Sequence, residues 1–157
     1  MTVVSINKQA RLSEHFTLAE LCKTSAITAD GNIPSHVHIE NMKRLCGWLE
    51  MLRSEWNKRY GEGDDPIVIN SGYRSEAVNK AVGGMKGSNH LTGCAADIRV
   101  AGIEQLVRYA TILLDISDES QEDFDEQLLE RSPKSGYWLH FAVRPSGNRR
   151  KVRLIQT

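Results

Sequence analysis

Apolar residues recur three or four positions apart through Met42, Leu45, Leu49, Leu52 and Trp56, the spacing of one face of an α-helix. The helix predicted on this stripe starts near Pro34 or Ser35, residue types favoured at the first helical position and at the N-cap, and runs to about Tyr60. Gly61 and Gly63 then stop it. Upstream, Thr17-Leu-Ala-Glu20 has the form of a capping box and opens a short helix. Glu76 to Val82 suits another short helix, and Ile103 to Ile116 repeats the amphipathic pattern with Leu106, Tyr109 or Ala110, Leu113 and Leu114 on its buried side. The remaining apolar runs have strand length. Ile67 to Asn70 follows Asp64-Asp65-Pro66, Cys94 to Val100 follows a Gly-rich stretch, and three more strands are expected at 124–130, 137–143 and 151–156. The last two are expected to be joined by a turn at Pro145-Ser-Gly-Asn148. Helices first and a mostly antiparallel sheet after predict an α+β domain, with the helices packed on one face of a small sheet. No linker, repeat or low-complexity segment interrupts residues 1–157, which read as a single domain.

Composition narrows the partners more than the fold. With 25% charged and 40% hydrophobic residues the chain has the make-up of an ordinary globular domain. Lys plus Arg equal Asp plus Glu at 20 each, so no overall field draws the chain to nucleic acid or to a membrane surface. The segment from Arg144 to Arg153 is locally basic and could meet an anionic polymer, although a basic turn beside an edge strand accounts for it equally simply. Cys22, Cys46 and Cys94 are odd in number and widely spaced, which fits reduced core cysteines rather than a disulfide framework or a thiolate metal site. Residues 1–20 lack the continuous apolar stretch of a signal peptide and no run is long enough to span a bilayer. Synthesis in a cytoplasm and a monomeric protein are the corresponding expectations.

The candidate chemistry lies in Ser88-Asn-His90-Leu-Thr-Gly-Cys-Ala-Ala-Asp97 and Trp138-Leu-His140. Two histidines and one carboxylate make an N, N, O ligand set that leaves a fourth tetrahedral position on zinc for water, the composition of a hydrolytic centre. His15, His36 and His38 lie in or just before predicted helices, and the spacing of two between His36 and His38 points them to different helix faces, against a ligand pair. Ser71-Gly-Tyr-Arg-Ser75 sits between the Ile67 strand and the next helix, where sites tend to be built. Its Arg74 offers a planar fork of donors for a carboxylate or a developing oxyanion, or forms a surface salt bridge. Ser88 could donate to substrate or simply turn the chain, and Tyr73 could be a hydrogen-bond donor or packing.

The order Ser-Gly-Tyr-Arg-Ser, Ser-x-His-x-x-Gly-x-Ala-x-Asp, Trp-x-His resembles the zinc D-Ala-D-Ala carboxypeptidase family, which includes L-Ala-D-Glu endopeptidases of phage lysins and has the hedgehog signalling domain as a distant structural relative. The motifs run from Ser71 to His140, about half of the chain. The resemblance implies that His90, Asp97 and His140 bind Zn2+, that Arg74 steadies the substrate carbonyl or carboxylate, and that the partner is the peptidoglycan stem peptide. It further implies a zinc site on the sheet face opposite the helices. Without a signal peptide, a phage or prophage route would bring such an enzyme to the cell wall.

One position departs from the family's pattern. Many members carry Glu or Asp three residues before the last histidine as general base, and here that residue is Tyr137. A variant pattern, associated with phage members, has an acidic strand beginning Phe-Asp and ending in Glu, matched here by Phe124-Asp125-Glu-Gln-Leu-Leu-Glu130. Period-two alternation would put Glu126, Leu128 and Glu130 on one face. Glu130 is then the base expected, with a solvated edge glutamate as the other reading. Were no base in place, the chain would be a non-catalytic zinc-bearing cell-wall module or a phage structural component.

Overall fold

A computed structural model describes residues 7–157. Four helices and five strands follow in the order α1 (Leu18–Leu21), α2 (His36–Arg59), β1 (Ile69–Ser71), α3 (Glu76–Ala81), β2 (Ala95–Arg99), α4 (Ile103–Ser120), β3 (Glu126–Ser132), β4 (Gly136–Ala142) and β5 (Lys151–Gln156), with a 3-10 turn at Asn89–Thr92 before β2. The sheet order is β1-β2-β4-β3-β5.

The long helix starts where its caps dictate. Ser35 Oγ accepts from the His38 backbone N–H while His38 Nδ1 accepts from the Ser35 N–H, a reciprocal capping box in which histidine replaces the usual Glu or Gln. Its stripe of Met42, Leu45, Leu49, Leu52 and Trp56 is buried. Trp56 meets Tyr109 of α4 edge to face, with ring centroids 5.0 Å apart, and Trp48 packs on Phe141 of β4 at 5.6 Å. α4 extends past the expected Ile116 to Ser120 and buries Leu106, Tyr109, Ile112, Leu113 and Ile116. The sheet divides by parity: Ile98, Leu139 and Phe141 are wholly buried in the core cluster shared with the helices, whereas Asp97 and His140 point to the other face. The architecture is therefore α+β, with the helices on one face of a mostly antiparallel sheet.

Two expectations are corrected. The strand before the Arg74 loop was expected at Ile67 to Asn70 but pairs only over Ile69–Ser71. More consequentially, β4 and β5 are not a hairpin. β4 is already flanked by β2 and by β3, its partner across the tight turn at 132–136. The chain leaving β4 therefore goes to an open edge of the sheet, and β5 takes that of β3 in parallel, with Leu128 opposite Arg153.

Gly72 shows how tightly the loop before the site is seated. A Cβ there would lie 2.1 Å from the Leu21 carbonyl oxygen at the end of α1, and the neighbouring Tyr73 N–H donates to that same oxygen. The obstacle is backbone, so it cannot swing aside. Gly72→Ala is expected to cost about 1–3 kcal/mol through overpacking, seen in thermal denaturation as a fall in Tm of roughly 3–10 °C. Because the Gly72 carbonyl also holds His90, metal affinity should fall with it.

Candidate metal centre

Three separate pieces of chain meet on the open face of the sheet. Asp97 and His140 are direct partners on the adjacent strands β2 and β4, so their side chains project side by side. His90 comes from the 3-10 turn that feeds β2. Ser88 caps this turn by accepting from the His90 N–H, and Gly93 ends it at φ 77° where a Cβ would strike the His38 carbonyl at 2.6 Å. The outcome is a cluster in which one ligand atom from each of His90, Asp97 and His140 lies within 4.8 Å of the others. Asp97 Oδ1 is 3.3 Å from His90 Nε2 and 3.1 Å from His140 Nδ1.

The outer nitrogens decide which atoms face inward. His90 Nδ1 is 2.7 Å from the Gly72 carbonyl, which can only accept, so Nδ1 carries hydrogen and Nε2 is the nitrogen turned to the cluster. His140 is held from its far side by Glu126, whose Oε1 is 2.8 Å from Nε2, leaving Nδ1 for the centre. Both are the arrangement by which metal-ligating histidines are oriented. Two imidazole nitrogens and a carboxylate oxygen, converging at the floor of a cleft, fit the zinc donor set with a position left open.

The charges are strongly coupled. Burial alone would push the Asp97 carboxyl up, but His90 and His140 outweigh it and hold the group well below the usual carboxylate range. Burial would lower His140, yet its bonds to Asp97 and Glu126 raise it to about 9. The hydrogen bond from His140 lowers Glu126 to about 2 against the opposing effect of burial. Glu130 moves the other way: burial and then the Asp97 charge raise its carboxyl above the ordinary value, although Trp138 Nε1 donates to it at 3.0 Å.

The other expected residues are distributed unevenly. Arg74 lines the cleft, with Nη2 3.4 Å from Asp97 Oδ2 and Nε held by Ser71 Oγ at 3.1 Å. Its backbone N–H donates to the His90 carbonyl, tying the Arg74 loop to the 3-10 turn. Ser88 also reaches the cleft wall. Glu130 lies on the cleft face of β3, directly opposite Trp138. Tyr73, considered as a substrate donor, is buried in the hydrophobic core against His38 and is absent from the cleft lining. His15 bonds Glu50 and His38 caps α2, both away from the cluster. The three cysteines are buried as free thiols.

Sequence reasoning missed the support behind His140. Asn89 Nδ2 donates to Glu126 Oε1 at 2.9 Å and to Asp125 Oδ2 at 2.8 Å. Asp125 is wholly buried just before β3 and is bound by Arg149 through Nε and Nη2, at 3.0 and 2.8 Å. The signal was the face shared by Glu126 and Glu130, together with an acidic residue beside Phe124. Glu126→Gln is expected to leave the fold intact and weaken metal affinity by about 10–100-fold, measured by competition with a chromophoric chelator.

A profile of the peptidase M15 family matches residues 14–117, well over half of the chain and inclusive of His90 and Asp97. The chain belongs to the peptidase M15 family. Within it, the chain is similar to the zinc D-Ala-D-Ala carboxypeptidase of Streptomyces albus G, with 32% identity over 84 residues. That stretch is 54% of this chain and 31% of the relative, so the match spans less than a third of the relative's length. His140 lies beyond the segment that the family profile matches; the fold brings it to the other two members of the cluster.

Proposed function

We propose that this chain is a zinc-dependent peptidase of the peptidoglycan stem peptide, a single domain, with His90, Asp97 and His140 as the metal ligands. The observation that carries the reading is the convergence of this N, N, O set at the floor of a cleft of about 550 Å³ that Arg74 and Glu130 also line. Bound zinc would supply Lewis acidity and lower the pKa of a water in its open position. The chain's residues do the rest. Glu130, with its raised pKa, accepts the proton from the attacking water and can return it to the leaving amine. Arg74 is always charged and holds the scissile carbonyl oxygen as it becomes anionic, or the terminal carboxylate of the substrate. Ser88, which lines the cleft from the loop before β2, donates to the substrate.

The bond cut is D-Ala-D-Ala or L-Ala-D-Glu, and the acidic sequence from Phe124-Asp125 to Glu130 supports a phage or prophage member. No helix among the described residues is long and apolar enough to cross a membrane. The test is zinc content of the purified chain, together with release of D-alanine or new amino groups from peptidoglycan with and without chelator. One zinc per chain and chelator-sensitive release bear the reading out. Zinc with no release would instead indicate a binding module.

A further inference from the structure

The cleft extends beyond the metal cluster to the edge of the sheet, and its far rim is basic. Reading across the register, Asp97 of β2 faces His140 of β4, His140 faces Leu128 of β3, and Leu128 faces Arg153 of β5. One row over, Lys151 faces Glu126. Both cations line the same cleft as the metal cluster, and Lys86 reaches it from the loop before Ser88. Arg74, Arg144 and Arg149 also line it, but each is engaged by Asp97 or Asp125. Among the described residues no carboxylate comes within 4.0 Å of Lys86, Lys151 or Arg153.

Basic residues on an edge strand can serve simply to discourage pairing with another sheet. The alternation along β5 argues for more than that. Its charges occupy the cleft face, at Lys151 and Arg153, while the opposite face carries Val152 at 47% and Leu154 at 75% exposure. Protection of the edge alone would place charge on the bare face, where apolar surface is in fact left open.

We propose that Lys151 and Arg153 form a carboxylate subsite that holds an acidic group of the substrate at a fixed distance from the scissile bond. The inference rests on the peptidase reading above. Arg153 is two strands from His140, about 10 Å at the usual strand spacing. An extended peptide advances about 3.3–3.6 Å per residue, so the acidic group lies two to three residues from the carbonyl that is attacked. The preferred substrate is thus an acidic peptide that crosses the strands from β2 towards β5, its charge neutralised at the rim by the ammonium of Lys151 and the guanidinium of Arg153.

The test uses the zinc-loaded full chain and two synthetic peptides, N-acetyl-L-Ala-γ-D-Glu-L-Lys-D-Ala-D-Ala and its counterpart with D-isoglutamine in place of D-Glu, which differ by one carboxylate. Affinity is measured by calorimetry on the Glu130→Gln background, and cleavage on the otherwise native enzyme. The carboxylate peptide is expected to bind about tenfold more tightly, a 1.4 kcal/mol preference. Lys151→Gln/Arg153→Gln should erase the preference without altering zinc content or affinity for the amidated peptide. The charge-preserving pair Lys151→Arg/Arg153→Lys should keep it. Equal affinity for the two peptides, or a preference that survives the double neutralisation, overturns the subsite. A preference without cleavage of either peptide supports the subsite while overturning the peptidase reading, and cleavage of both without preference does the reverse.

Discussion

His90→Ala is expected to leave a folded chain that no longer retains stoichiometric zinc and no longer cleaves peptidoglycan. The substitution removes the one ligand delivered by the 3-10 turn, and the remaining pair, Asp97 and His140, would then hold the ion by two protein atoms. A catalytic zinc site is built on three. Losing the Lewis acid forfeits several kcal/mol of transition-state stabilisation, and each 1.36 kcal/mol is a factor of ten in rate. The loss should therefore be on the order of a thousandfold or more. Metal analysis of the dialysed protein and a cleavage assay in added zinc together read the effect. Full activity in His90→Ala would remove the basis for the metal centre.

Glu130→Gln is expected to separate chemistry from metal binding. The amide is nearly isosteric and can still meet Trp138, but it cannot take a proton, so kcat should fall by about 10²–10⁴-fold while zinc content is unchanged. The pH profile gives an independent readout. A general base works only when ionised, and burial and Asp97 raise the Glu130 carboxyl above the ordinary glutamate value. Activity of the native enzyme should then rise with pH through that raised value, and this acid limb should vanish in Glu130→Gln. Glu126 behaves differently, since its bond to His140 holds it low, at about 2, and keeps it an ionised acceptor throughout. If Glu130→Gln retained native kcat, the proton would have to go elsewhere and the site would lack the base assigned to it.

The three members of the cluster were legible because each sits in a short motif whose neighbours have a local task. Ser88 caps the turn that presents His90, Gly93 permits the left-handed step that ends it, and alternation in β2 turns Asp97 out of the core. What single-strand periodicity could not supply was pairing between distant strands. Nothing in residues 143–150 says that the chain will bypass β4 and lie parallel to β3, because that choice depends on which edges are already taken. The role of Asp125 was obscured for a related reason. Its partners Asn89 and Arg149 come from elsewhere in the chain, and a buried aspartate satisfied by distant groups looks, in sequence, like a surface one. Tyr73 erred in the opposite sense, its motif position suggesting a substrate contact where the loop after β1 packs its ring against His38 in the core.

The sheet order also assigns the two ends of the cleft to different levels of local stability. β4 has neighbours on both sides and is the middle strand, whereas β5 is an edge held only by β3. Amide exchange should accordingly be slowest around His140 and fastest along Lys151 to Gln156, since edge elements with few partners open before the core does. The rim opens and re-forms many times while the strand that carries His140 stays closed.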